Sequence, residues 1–173
     1  MAHLLCVSLG VPPCVPLNPL PTLCTAPMDI ALVLDSSSSA TDHQGSIREL
    51  ASQFLSLFEL SASGPRATVI AFDSSATNIV ESATGTRFST DADVIKSALA
   101  SFIFEDAATT ITSSGFEMAQ AAFDAESRTS VVAQRFVLLL ADAKGDETKS
   151  KQVATALKDD GMNRGLNHGS TAP

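Results

Sequence analysis

The stretch MDIALVLDSSSSA, residues 28–40, decides how the rest of the chain is arranged. Its apolar run, residues 30–34, contains β-branched side chains and predicts a strand that is buried on both faces. Asp35 and four serines follow this strand directly. Because ligands of open α/β sheets bind at the carboxyl ends of the strands, this serine loop (residues 35–39) is a candidate binding site.

The serine loop has the chemistry of a metal site. Asp35, Ser37 and Ser39 place three hard oxygen donors within one tight turn. Such donors suit Mg²⁺ or Mn²⁺. A serine run after a strand is, taken alone, more often a polar turn than a set of ligands. The metal assignment therefore depends on further residues downstream.

Downstream of the loop, strand-like apolar runs alternate with helical spacing. The runs cover residues 67–72, 77–80 and 136–140, and the short run 77–80 is typical of an edge strand. Helical spacing predicts four helices, of which the first covers residues 45–60 and the last covers residues 148–158. The apolar face of the second contains Val94, Ile95, Ala98, Leu99 and Phe102, and that of the third contains Phe116, Ala119 and Phe123. This alternation predicts an α/β fold with a mostly parallel central sheet and helices on both faces.

The two ends of the chain differ in composition from the middle. Residues 1–27 hold six of the eight prolines and no charged side chain except His3, which indicates an irregular leader or a signal segment. We place the domain at residues 28–161 and a polar tail at residues 162–173. The three cysteines, Cys6, Cys14 and Cys24, are an odd number, so they cannot all pair within the chain.

Composition limits the classes of partner. The length of 173 residues fits one domain, and the net charge of −8 argues against nucleic acid or an anionic membrane surface as a partner. No apolar run approaches the length of a membrane-spanning helix, so we expect no membrane insertion. Oligomeric state is left open.

The spacing Asp35-x-Ser37-x-Ser39 after a buried strand resembles the start of the metal-ion-dependent adhesion site of the von Willebrand factor type A family. The resemblance covers residues 24–161. It implies a Rossmann-like, doubly wound sheet with one short antiparallel edge strand at residues 77–80. Residues 108–115, ATTITSSG, resemble the family's G-x-T-x-T-x-x-G and place a ligand at Thr110, with Thr109 and Thr112 as alternatives in another register. The sequence LLLAD, residues 138–142, matches the family's strand-T-D-G and places a second carboxylate at Asp142.

The resemblance implies a binding function. Two carboxylates and three hydroxyls would hold Mg²⁺ or Mn²⁺ and leave one coordination position for a Glu or Asp from a protein partner. We expect binding rather than catalysis, because no residue set that would activate a water is evident. The histidines fall in the leader, a loop and the tail, and we interpret His43, Asp73 and Asp106 as solvated loop residues.

The chain also departs from the family pattern. Ser38, Ala108 and Ala143 stand where the family usually has glycine, which allows positive φ. The family continues after residue 161 with a strand, a helix and usually a final strand, and we therefore expect an unpaired sheet edge beside Leu140. Extracellular members often pair a cysteine at the position of Cys24 with one near the C-terminus, where this chain has none.

Three functions are compatible with these observations. The first is a metal-dependent adhesion or protein-binding domain, extracellular or at a cell surface. The second is an intracellular scaffold domain without a working metal site, which reduced leader cysteines would favour. The third is a small Rossmann-like hydrolase, although a G-x-S-x-G elbow, a paired His and a phosphate-binding Gly loop are all missing.

Overall fold

The structure, a computed structural model, describes residues 3–8, 24–104, 109–128 and 133–141, together with Lys149, Lys151, Gln152, Ala154, Thr155 and Ala156. Its strands are β1 (His3–Ser8), β2 (Met28–Asp35), β3 (Pro65–Phe72), β4 (Ala76–Asn78) and β5 (Gln134–Ala141). A 3₁₀ helix (Ser38–His43) precedes the α-helices α1 (Gln44–Leu55), α2 (Ile79–Thr84), α3 (Ala92–Ser101) and α4 (Thr112–Ala125). The six described residues between 149 and 156 are also helical.

One sheet organises these elements in the order β1-β5-β2-β3-β4. The central strand β2 runs parallel to both β3 and β5, with Asp35 opposite Phe72 and Leu34 opposite Leu140. The short strand β4 pairs antiparallel with β3 at one side of the sheet. The predicted α/β fold, with a mostly parallel sheet and a short antiparallel edge strand, is confirmed.

Helices cover both faces of the sheet, so alternate residues of β2 enter two separate cores. Leu32 and Leu34 pack in one core with residues of α1 and α3, and Ala31 and Val33 pack in the other with residues of α4. Burying a side chain of this size stabilises the fold by roughly 1.5–3 kcal/mol. All eight residues of β2 are buried, which explains why its sequence is apolar without alternation.

The polypeptide after β4 differs from our prediction. We expected a strand through residue 80, but β4 ends at Asn78 and α2 begins at once. The Asn78 side chain accepts a hydrogen bond from the amide of Glu81 (3.0 Å) and another from the Thr68 hydroxyl (2.9 Å). Asn is a preferred N-cap residue, and this local capping overrides the strand propensity of Ile79 and Val80.

A second difference concerns the sheet edge beside β5. We expected this edge to be unpaired, and that prediction is wrong. The strand β1 lies antiparallel to β5, with His3 opposite Ala141 and Ser8 opposite Phe136. It comes from the segment that we predicted to be a leader, and it covers backbone groups that would otherwise form an exposed edge.

The disulfide of Cys24 does not follow the pairing that is common in extracellular members of the family that the sequence resembles. Cys24 is buried and disulfide-bonded. The chain's other cysteines, Cys6 and Cys14, both precede it. Cys14 lies outside the described residues, as does the predicted tail 162–173. Among the described residues, no helix has the length and apolar character needed to cross a membrane.

We call the end of the sheet where β2, β3 and β5 begin the amino edge, and the end where they finish the carboxyl edge. At the amino edge, the buried Asp29 accepts from Arg66 Nε (2.8 Å) and lies 3.0 Å from Arg128 Nε. Arg66 also donates to the carbonyl of Glu126, just after α4. Burial lowers the pKa of the Arg128 guanidinium from its ordinary value, and Asp29 opposes this shift. These ion pairs tie the end of α4 to β2 and β3.

Gly115 lets α4 approach the sheet closely. A Cβ atom at this position would lie 2.5 Å from Cγ1 of Val33 and 3.0 Å from Cδ1 of Phe72. Both neighbours are fully buried and belong to the central strands β2 and β3. The absence of a side chain at residue 115 therefore sets the position of the N-terminal turn of α4 at the carboxyl edge.

The substitution Gly115→Ala should destabilise the domain by about 1–2 kcal/mol. The overpacked methyl group costs about 1–3 kcal/mol, which the better helix propensity of Ala only partly offsets. Gly45→Ala in α1 is the matched control, because a Cβ there meets nothing within 4 Å. Urea unfolding should show a lower midpoint for the first variant and an equal or higher one for the second. Equal midpoints for wild type and Gly115→Ala would contradict the close approach.

Deleting residues 1–8 should expose the edge of β5. We expect the free energy of unfolding to fall by roughly 1–3 kcal/mol, since each ladder hydrogen bond contributes about 1 kcal/mol net. Hydrogen exchange measures the effect locally: amides of β5 that pair with β1 should exchange faster, and those that pair with β2 should change less. Unchanged exchange along β5 would contradict the pairing of β1.

Candidate metal centre

Asp35 is the last residue of β2 and lies at the carboxyl edge between β3 and β5. It is fully buried, and its Oδ1 accepts hydrogen bonds from the amide (2.9 Å) and the hydroxyl (2.6 Å) of Ser37. Hydrogen bonds to a carboxylate favour its charged form. Two of the predicted ligands, Asp35 and Ser37, are therefore in direct contact.

The serine loop is attached to the neighbouring strand by Ser36. The Ser36 amide and hydroxyl both donate to the carbonyl of Phe72, at 2.8 Å and 2.9 Å. Residue Phe72 is the register partner of Asp35 and ends β3. Ser36 is not one of the predicted ligands, and its two hydrogen bonds fix the direction in which the loop leaves β2.

The chain continues from Ser37 into the 3₁₀ helix. The Ala40 amide donates to the carbonyl of Ser37 (3.0 Å). Ser38 begins this helix. The family that the sequence resembles usually has glycine at this position. Helical backbone suits any L residue, so a Cβ at this position is accommodated. The backbone of Ser39 lies in the same helix, and its side chain is outside the described part of the structure.

Asp73 holds the segment that contains Thr110 at the same edge of the sheet. The Ile111 amide donates to the carbonyl of Asp73 (2.7 Å), which directly follows Phe72. This contact places Thr110 at the carboxyl edge, where it is half-buried. Thr109 is exposed, whereas Thr112 is buried as the first residue of α4.

The second predicted carboxylate, Asp142, lies outside the described residues, as do Asp106, Ala108 and Ala143. The strand before it, β5, ends at Ala141 on the same edge as Asp35. The structure therefore places Asp35, Ser37 and the Thr110 segment at the same edge of the sheet, and the assignment of all five residues as ligands stays a prediction.

Asp73 has a positioning role that the sequence analysis did not assign. Its Oδ1 accepts from the amide of Ser75 (3.0 Å) and the hydroxyl of Ser74 (3.1 Å), and its own amide donates to the carbonyl of Ser75 (2.9 Å). This turn orients the carbonyl that holds Ile111. The signal in the sequence is an Asp followed by two serines at the end of a strand, the same pattern that begins the serine loop.

The donor set decides which ligand fits. Among the described residues there is no group of three or more His, Cys, Asp or Glu side chains placed to hold a metal ion. The predicted site would not form such a group, because three of its five members are Ser or Thr. Asp35 and Ser37 offer a buried carboxylate and a hydroxyl in contact, and these oxygen donors fit a hard divalent cation.

Comparison with known families gives one match over most of the chain. The family model of the von Willebrand factor type A domain matches residues 29–164. A search of curated proteins found no match.

Among solved structures, the chain is similar to proximal thread matrix protein 1 from the mussel byssus, with a TM-score of 0.68, 18% identity, and coverage of 80% of this chain and 37% of that one. A second structure of that protein, with a zinc-occupied MIDAS motif, gives a TM-score of 0.64, 23% identity, and coverage of 80% and 35%. The vWF domain of the type V pili tip protein Mfa5 from Porphyromonas gingivalis gives a TM-score of 0.50, 19% identity, and coverage of 64% and 36%. At these identities the likeness shows the fold. The chain spans just over a third of the length of these structures.

The substitution Asp73→Ala should weaken metal binding, although Asp73 is not a predicted ligand. Without its carboxylate the turn loses two hydrogen bonds, and the carbonyl that holds the Thr110 segment is less ordered. Loss of a group that orients a ligand typically lowers metal affinity by about 10–100-fold. Titration calorimetry with Mn²⁺ and hydrogen exchange at the Ile111 amide measure the two effects.

Asp91→Ala is the matched control. Asp91 caps α3 in a similar way, accepting from the amides of Asp93 (2.9 Å) and Val94 (3.3 Å) near the amino edge. Its loss should lower stability by about 1 kcal/mol without changing Mn²⁺ affinity. An unchanged Mn²⁺ affinity in Asp73→Ala would contradict the positioning role.

Proposed function

Because this chain belongs to the von Willebrand factor type A domain family, we propose that it is a metal-dependent protein-binding domain. The proposed ligands of a divalent cation are Asp35, Ser37, Ser39, Thr110 and Asp142. A Glu or Asp side chain of a partner protein would occupy the remaining coordination position. The observation that carries this proposal is the buried contact between Asp35 and Ser37 at the carboxyl edge.

The hydrogen bond between these two residues supports cation binding at Ser37. A hydroxyl has one hydrogen to donate and two lone pairs to offer. The Ser37 hydroxyl donates to Asp35 Oδ1, so this contact uses its hydrogen and not its lone pairs. Asp35 supplies negative charge from a buried position, where electrostatic attraction is stronger than in water.

The chemistry of the donors favours Mg²⁺ or Mn²⁺. All five proposed ligands bind through oxygen, which these ions prefer, whereas Zn²⁺ is more often bound by nitrogen and sulfur. The zinc-occupied MIDAS motif of the mussel protein indicates that this kind of site also accepts Zn²⁺ under some conditions. We therefore include Zn²⁺ as a competitor in the metal titrations.

We propose that the site binds and does not catalyse. The bound cation would supply an electrophilic centre for a carboxylate oxygen of the partner. The role of this chain's residues is to hold that centre at the carboxyl edge. His43, the histidine nearest to the serine loop in sequence, is exposed at the end of the 3₁₀ helix, which suits a solvated side chain better than a general base.

An extracellular or cell-surface location fits the cysteine chemistry. Disulfides persist in oxidising compartments and are rare in the cytosol. Cys24 is disulfide-bonded, which supports the extracellular alternative over an intracellular scaffold. A free-thiol assay on the protein purified from its native source distinguishes the two.

Thermal unfolding with metal and with EDTA tests the proposed function directly. A ligand that binds only the folded state raises the unfolding midpoint. At 100 times the dissociation constant, Mg²⁺ should raise it by about 5–10 °C for a chain of this size. Asp35→Asn keeps an oxygen that can accept the Ser37 hydrogen bonds but removes the charge, so this variant should fold and lose the response.

Asp93→Asn is the control, because Asp93 is an exposed acid in the first turn of α3. It should respond to Mg²⁺ as the wild type does. A wild-type midpoint that Mg²⁺, Mn²⁺ and EDTA leave unchanged would refute the metal site and favour the scaffold function. A response of equal size in Asp35→Asn would show that the metal binds elsewhere.

A further inference from the structure

The segment Phe102-Ile103-Phe104 directly follows α3. Ser89 pairs with Ala67 near the amino edge, and Ile111 contacts Asp73 at the carboxyl edge, so α3 and the segment after it lead from one edge to the other. Phe102 contacts Arg48, in the second turn of α1, which follows the serine loop. The segment is therefore part of the surface around the carboxyl edge.

Ile103 is the most exposed large hydrophobic residue in the described part of the chain, at 80% exposure. A single exposed apolar side chain is common on protein surfaces and needs no explanation by itself. What distinguishes Ile103 is that its neighbours are anchored, and that it lies only seven residues before the predicted ligand Thr110.

Arg48 contacts the residues on both sides of Ile103. Its guanidinium donates to the carbonyl of Phe102 (2.5 Å) and lies 4.8 Å from the ring centroid of Phe104. The rings of Phe102 and Phe104 pack edge to face at 5.5 Å, and Phe104 is buried. The segment thus holds Ile103 outward in a defined position, so little conformational entropy remains to be lost when a partner covers it.

The charges at this edge restrict the partner. Asp42, in the 3₁₀ helix, is exposed, and Asp73 is half-buried. Among the charged residues that the structure describes near this edge, the cation Arg48 is already engaged with backbone carbonyls and a ring. A partner surface with several acidic groups would be repelled here, whereas one with a basic residue beside its single metal-binding carboxylate would be attracted.

We propose that Ile103 is the apolar contact of the partner and that it sets partner specificity next to the metal. The partner is a protein segment that presents one Glu or Asp beside an aliphatic side chain and a basic residue. The aliphatic side chain packs on Ile103 while the carboxylate reaches the cation. This inference rests on the proposed function and adds a recognition element to it.

An array of short synthetic peptides tests the inference on the chain of 173 residues. Each peptide has one central Glu, and its neighbours are either serines only or include one Leu and one Lys. The wild type should retain the Glu-Leu-Lys peptides in Mg²⁺ and release them in EDTA. Ile103→Ser should bind them about tenfold more weakly, a typical loss for one buried apolar contact, and should bind the serine-flanked peptides as the wild type does.

Leu57→Ser is the matched control, because Leu57 is 58% exposed and lies near the amino edge beside Cys24. It should leave all peptide binding unchanged. Both variants change exposed side chains, so their unfolding midpoints and their response to Mg²⁺ should match the wild type. These two measurements separate a specificity effect from a loss of fold or of metal.

The outcomes distinguish the inference from the function on which it rests. Equal binding of Glu-Leu-Lys peptides by Ile103→Ser and wild type, still dependent on Mg²⁺, would overturn the inference and leave the proposed function standing. An equal loss in Leu57→Ser would also overturn it, because the effect would then not be local. Wild-type protein that retains no peptide better in Mg²⁺ than in EDTA would overturn both.

Discussion

The whole structure depends on the complete burial of β2. This strand has a neighbour on each side and helices on both faces, so none of its residues from Met28 to Asp35 is solvated. Such a strand must be apolar along most of its length, and any charge on it must be compensated. Its two charged residues, Asp29 and Asp35, lie near its two ends, where neighbouring loops and helices can supply partners.

The contacts that the structure describes for the two carboxylates differ. Asp29 is surrounded by the guanidinium groups of Arg66 and Arg128, which also bind carbonyls of other segments. Removing one member of such a buried cluster leaves an uncompensated charge, so these residues serve the fold. Asp35 accepts hydrogen bonds from the amide and the hydroxyl of Ser37, in the loop that also contains the proposed ligand Ser39. The ion pairs at the amino edge thus stabilise the fold, and the carboxyl edge is where we propose that a cation binds.

Positioning at the carboxyl edge comes from backbone contacts rather than from the proposed ligands themselves. Ser36 attaches the serine loop to Phe72, and the next residue of the same strand end, Asp73, holds the amide of Ile111. Gly115 then allows α4 to lie close to β2 and β3. One strand end, at Phe72 and Asp73, therefore connects the two segments that carry the proposed hydroxyl ligands. Arg48 of α1 likewise holds the segment that presents Ile103, by donating to the carbonyl of Phe102.

The sequence by itself determined the fold class, the order of most elements and the position of Asp35 and Ser37 in one tight turn. These features are local: an apolar run without alternation indicates a buried strand, and an Asp followed two residues later by Ser forms a turn from its own atoms. The structure alone decided that β1 covers β5, that α2 begins at Asn78, and that Asp73 anchors the Thr110 segment. Each of these depends on residues distant in sequence or on competition between structures. Backbone hydrogen bonding in a sheet is nearly independent of sequence, so residues 3–8 carry no local signal that they pair with residues 136–141. Asn78 lies in a run that favours a strand, and only the contacts of its side chain with Thr68 and Glu81 favour the helix.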